Sequence, residues 1–158
     1  MADERSGPLS GLAPNTADAA RKDARTQSAT FQIGGLGLEL SASPGAARLV
    51  VGDHRTRDTY VVDPVALSAW GTATAKLLTL APARSAQDRI EIRTPFLVDR
   101  EGRRSIAFEG LVYEHGVTYR LLVSGARDKI AGIMTTEDVV RGVSDAARGA
   151  GALGRPST

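Results

Sequence analysis

The stretch RDTYVVDPVALSAWGTATAKLL, residues 57–78, changes its period halfway, and that change decides the fold class. Up to Val62 it is a short β-branched run that suits a strand. Asp63 is then placed to cap a helix, with Pro64 at the first helical position, where its missing N–H costs nothing. From there Leu67, Trp70, Thr74 and Leu77 recur at helical spacing, and Leu78 and Leu80 extend the apolar side. The spacing predicts a helix over 64–80 directly after a strand, with Trp70 as its core anchor. A second stretch, KIAGIMTTEDVVRGVSDAA (129–147), makes the same transition. Thr135 or Thr136 caps it, Glu137 and Asp138 sit where the helix dipole favours acids, and Val139 or Val140, Val143 and Ala146 or Ala147 form the apolar face.

Outward from these two points the chain is strand-like. TFQIGGLGLELSAS (30–43) alternates around Gly34 and Gly35 and reads as one bent strand or a tight hairpin. AARLVVGD and RDTYVVD follow, joined by the turn-rich GDHRTRD. After the linker APARSAQ (81–87), DRIEIRTPFLVD puts Ile90 and Ile92 on one face and Arg89, Glu91 and Arg93 on the other. Pro95 makes this an edge strand or bends it. RRSIAFEGLVYE and GVTYRLLVSG alternate in turn, and the short links DREGR and EHG predict a meander, with KIAGIMTT as a fourth strand.

The order is therefore strands then helix, a linker, and strands then helix. A helix that follows antiparallel strands must cover a sheet face, so the fold class is α+β: antiparallel sheets with two covering helices, as in a duplicated unit. The single domain spans 29–150, with halves at 29–81 and 88–150. Residues 1–28 and 151–158, rich in small and polar residues, read as disordered tails.

The 158 residues, 42% apolar and 24% charged, suit one globular core. Cysteine is absent, which removes thiol nucleophiles, thiolate metal sites and disulfides, and fits a reducing cytoplasm. The start lacks the apolar run of a signal peptide, and no stretch approaches the roughly 18 apolar residues of a membrane span. The reading is a cytoplasmic protein without membrane contact. Arginine outnumbers lysine 17 to 3, yet the net charge is only +2.

Catalytic candidates are sparse. The two histidines, His54 and His115, fall in predicted turns, as do the carboxylates Asp53, Asp58, Asp99 and Glu101. None forms a pair with an obvious nucleophile, and no metal or cofactor is expected. The GGLG of 34–37 lacks a Walker lysine and a following capped helix, so it serves a bend or hairpin. No enzyme is indicated.

The remaining chemistry is basic. By alternation Arg93 and Arg120 point away from the apolar face of their strands, and Tyr113 shares the face of Glu109 and Leu111. Arg103 and Arg104, in DREGRR (99–104), lie at a turn between strands. Together they allow a basic track across the outer sheet surface, able to grip phosphates, with Tyr113 as a stacking platform. Glu91, Glu109, Asp99 and Glu101 are interleaved among them, the arrangement of cross-strand ion pairs on a solvated sheet.

From Phe31 to Ala150 the element order resembles the Whirly and purine-rich-element-binding (Pur) single-strand binders, which repeat four antiparallel strands followed by one helix. The first unit runs from Phe31 through LSAWGTATAKLL and the second from Arg89 through TTEDVVRGVSDAA. The resemblance implies exposed strand faces or loops that meet single-stranded DNA or RNA, and homo-oligomers that extend the surface. The residues expected to make contact are Arg93, Arg103, Arg104, Tyr113 and Arg120. The competing expectation is a protein-interaction or self-assembling module that binds no nucleic acid.

Overall fold

The computed structural model describes residues 27–53, 55–124 and 130–154. An antiparallel meander comes first: β1 (Gln27–Ile33), β2 (Leu36–Ser43), β3 (Ala46–Gly52) and β4 (Arg57–Val62), in that spatial order. Ile33 pairs with Leu36, so Gly34 and Gly35 form a two-residue hairpin turn and the strand is not simply bent there. Period-2 alternation sends Leu38, Leu40, Leu49, Val51, Tyr60 and Val62 to one buried face.

Helix α1 (Pro64–Lys76) starts where the period changes, with the Asp63 carboxylate accepting from the Ala66 N–H at 3.0 Å. It ends four residues before the expected Leu80, tightening into a 3₁₀ turn over Leu77–Thr79. The second sheet holds β5 (Ile90–Arg93), β6 (Leu97–Val98), β7 (Ser105–Tyr113), β8 (Gly116–Ser124) and β9 (Ile130–Thr135). β5 and β6 share one edge of β7 and form an edge strand interrupted at Pro95. Pairing holds as far as Thr94, whose N–H donates to the Phe108 carbonyl at 2.9 Å and whose hydroxyl accepts from the Phe108 N–H at 3.0 Å. Pro95 has no N–H to continue it. Helix α2 (Glu137–Leu153) is capped by Thr136 and buries Val140, Val143, Ala147 and Ala150. The fold is α+β, and the order of four strands then a helix occurs twice if β5 and β6 count as one.

The two units interlock. α2 lies along β1 and β2 of the first sheet. The 3₁₀ turn after α1 reaches the second, where the Tyr119 hydroxyl donates to the Leu77 carbonyl at 3.3 Å. Between the sheets, Trp70 meets Phe108 with ring centroids 5.7 Å apart. One apolar core thus takes side chains from both sheets and both helices. The helices also touch directly, with the buried Ser144 hydroxyl donating to the Gly71 carbonyl at 2.8 Å.

The ends differ from the expected tails. β1 already includes residues 27 and 28, and the rest of the expected N-terminal tail, 1–26, lies outside the described residues. At the other end α2 continues through Leu153, because Gly151 is buried against α1. Residues 155–158 lie outside the described residues.

Tyr60 gives a measurable consequence of this packing. Its ring is fully buried and its hydroxyl has no hydrogen-bond partner among the described residues. Burial first, then the charges of Asp58 and Asp99 against that of Arg104, push its pKa up to about 12. The unfolded chain releases this proton near pH 10, so the stability it protects is complete below pH 10 and is lost as pH rises towards 12. Urea denaturation of Tyr60→Phe should show a protein more stable by about 1 kcal/mol at pH 8, since an unpaired hydroxyl is removed. Its advantage over wild type should widen by about 1.4 kcal/mol between pH 8 and pH 11. An unchanged gap would contradict the environment assigned to Tyr60.

Candidate nucleic-acid interface

The outer face of the second sheet carries a charged row set by strand register. Arg93 on β5 lies opposite Glu109 on β7, and Glu109 lies opposite Arg120 on β8. Side chains at directly opposed positions share a face, so the three meet in line. Glu109 accepts from Arg120 Nε at 2.9 Å and from its Nη2, and Arg93 Nη2 lies 3.4 Å from the other carboxylate oxygen.

Exposure is divided unevenly along the row. The Glu109 side chain is 1% exposed, whereas those of Arg93 and Arg120 are 45% and 35% exposed. A buried carboxylate is tolerated because two cations meet it. The arginines in turn are held in place by the carboxylate, with part of each side chain open to solvent. The hydrogen bond to Glu109, more than the opposing effect of burial, raises the Arg120 pKa above its ordinary value. Arg93 is steadied further by the Phe96 ring, 5.7 Å from its guanidinium carbon.

Tyr113 lies on the same face, four residues along β7 and roughly 13 Å from Glu109. Its ring is half-buried and stacks on His115 at 5.9 Å and 15°. Opposite it stands Gly116, which has no side chain to cover the ring. Beside it a hollow of about 330 Å³ is lined by Arg89, Ile90, Glu91, Leu111, Val112 and Tyr113.

DREGRR is the turn between β6 and β7, as expected, and it also connects the sheets. Gly102 takes φ +72°, and the Asp99 carboxylate accepts from the backbone N–H groups of Arg103 and Arg104 at 2.8 and 3.4 Å. The Arg100 N–H donates to the Val61 carbonyl on β4 at 2.8 Å. Arg103 pairs with Glu101 at 3.3 Å, and Arg104 with Asp58 of β4 at 3.3 Å. Of the five candidates, Arg93, Tyr113 and Arg120 therefore share one face. Arg103 and Arg104 sit at the junction with the first sheet, each beside an acid.

Glu109 is the residue whose anchoring position alternation alone does not give. It interrupts a basic face in the sequence, yet in the fold it anchors the two arginines. The signal was available in the EHG link: a turn at Glu114 and His115 pairs Tyr113 with Gly116, and counting back sets Glu109 against Arg120.

Other hollows carry less chemistry. One of about 300 Å³ on the outer face of the first sheet is lined by Thr30, Gln32, Glu39 and Arg57 with glycines between. An apolar groove of about 370 Å³ separates α1 from the Pro95–Val98 segment. Asp53 accepts from the N–H groups of Arg55 and Thr56 within its own turn. His54 lies outside the described residues, and His115 is exposed. Among the described residues no three His, Cys, Asp or Glu side chains cluster as metal ligands, and no helix is long and apolar enough to cross a membrane. Comparison of the chain with protein-family models, with curated proteins and with solved structures gives no match.

Proposed function

We propose that the chain binds single-stranded DNA or RNA on the outer face of its second sheet, with little sequence readout. The observation that carries this reading is the Arg93–Glu109–Arg120 row, where two arginines with partly exposed side chains converge on one buried carboxylate. The three residues of the row sum to one positive charge, and Glu91 on the same face acts on Arg120. Both arginines are fixed in place before any ligand arrives, which lowers the ordering cost of phosphate contact. Tyr113 and the adjoining hollow offer an aromatic surface to a base. The repeated strands-then-helix order, on which the resemblance to Whirly and Pur proteins rests, supports the same reading. The cysteine-free composition supports a cytoplasmic setting.

Arg103 and Arg104 are peripheral in this scheme, since neighbouring acids already hold them. The expected affinity is modest and governed by salt. With two or three phosphate contacts per chain, binding should weaken about tenfold between 50 and 200 mM salt. Fluorescence anisotropy with a labelled 20-nucleotide single strand and its duplex tests this. The single strand should bind more tightly and lose affinity by that factor. No change in anisotropy at 50 mM salt with protein at 100 µM would overturn the proposal.

A further inference from the structure

The charged row of the second sheet ends on a methionine. Arg120 on β8 lies opposite Met134 on β9, so the thioether shares the outer face with the guanidinium. Directly opposed Cβ atoms are roughly 4.5–5.5 Å apart, which brings the flexible methionine side chain within reach of the arginine head. The neighbouring Ile133 packs inward against the core, and a Cβ at Gly34 would lie 3.0 Å from its Cγ2. Met134 faces the other way and is 55% exposed. The chain has no cysteine and two methionines, Met1 and Met134. Among the described residues Met134 is therefore the one oxidisable sulfur, and it sits beside the binding row.

We infer that Met134 is a site of reversible oxidation whose sulfoxide engages Arg120 and so weakens phosphate contact on this face. The effect on phosphate contact rests on the nucleic-acid reading above; the contact with Arg120 does not. The oxidant is hydrogen peroxide. A lone pair of the thioether attacks one peroxide oxygen, and an S–O bond forms as the O–O bond breaks. The departing hydroxide takes the proton left on the transferred oxygen and leaves as water. Sulfur loses two electrons and the peroxide gains them. An apolar group is thereby replaced by a polar one with a strong acceptor oxygen, and methionine sulfoxide reductases reverse the change.

Arg120 has donors to spare for that oxygen. Its Nε and Nη2 go to Glu109, and a guanidinium carries five N–H groups, so Nη1 keeps both of its own without a partner among the described residues. These are the donors a phosphate would use. A sulfoxide on the adjoining strand is tethered beside them, and its high effective concentration lets it compete with a phosphate arriving from solution. Glu109 keeps its bonds to Arg120, so the row and the fold stay intact. Arg93 stands on the far side of Glu109, out of line with Met134, so oxidation weakens binding without abolishing it.

Wild type and Met134→Leu, each as the full chain, are treated with hydrogen peroxide and followed by mass spectrometry. The peptide holding Met134 should gain one oxygen at a rate within about threefold of free methionine. The Arg120 Nε–H signal, assigned in a ¹H–¹⁵N spectrum through its loss in Arg120→Lys, should shift when wild type is oxidised. It should stay in place in Met134→Leu. Affinity for the labelled single strand at 50 mM salt should fall about fivefold in oxidised wild type and return after reductase treatment. Peroxide-treated Met134→Leu, which still carries Met1, should bind as before. A Met134 that resists peroxide, an Arg120 signal that does not move, or an affinity unchanged after complete oxidation would overturn the inference. A shifted Arg120 signal with no strand binding before or after oxidation would uphold the Met134–Arg120 contact and overturn the nucleic-acid reading instead.

Discussion

Gly151→Ala should destabilise the fold by about 2–3 kcal/mol and lower its melting temperature by about 10 °C. Helix propensity alone points the other way, because alanine in a helix is worth about 1 kcal/mol over glycine. Contact decides the sign. A Cβ at Gly151 would lie 2.6 Å from Ser68 Cβ, 2.7 Å from the Pro64 carbonyl oxygen and 2.7 Å from the Ser68 amide nitrogen. Two of these are backbone atoms of α1, so no rotamer change relieves the clash and the helices must separate. Gly35→Ala is the control: no atom lies within 4 Å of its Cβ position, and its stability should change by less than about 0.5 kcal/mol. Thermal unfolding of both variants checks the pair. A stabilised Gly151→Ala would show that the helices do not meet as described.

The second large effect concerns the charged row. Replacing Arg93 and Arg120 together by alanine strands Glu109, which is 1% exposed, without either partner. Removing the partners of a buried charge costs about 3–5 kcal/mol. Neutralising the whole row as Arg93→Gln, Glu109→Gln and Arg120→Gln leaves no uncompensated charge and should cost about 1 kcal/mol. Chemical denaturation of the two variants should therefore rank the triple substitution above the double. The reverse order would mean that Glu109 does not depend on the arginines.

Much of the architecture was legible because local signals coincide at the element boundaries. Asp63 with Pro64 marks the first helix start, and Thr135 or Thr136 with Glu137 and Asp138 marks the second to within one residue, Thr136 being the cap. Alternation placed Arg93, Tyr113 and Arg120 on the outer face correctly, since period 2 fixes sidedness. Sidedness is not register, however. Which arginine meets which acid depends on pairing across strands far apart in sequence, so Glu109 looked like a neutralising neighbour when it is an anchor. The Arg104–Asp58 pair was invisible for the same reason, because it joins the two sheets. The end of α2 was misjudged locally: RGAGALG lacks an apolar stripe, and its glycines look like helix breakers. Gly151 is there because α1 passes too close for any side chain, and only tertiary packing shows that.

The most direct test of the central claim uses the neutral-row variant in the oligonucleotide assay. Wild type and the triple glutamine substitution are compared by fluorescence anisotropy with one labelled single strand across 50–200 mM salt. The variant should bind at least tenfold more weakly at 50 mM, and its salt dependence should flatten as two phosphate contacts are lost. A folded variant that binds as tightly as wild type, with the same salt slope, would contradict the assignment of nucleic-acid binding to this face.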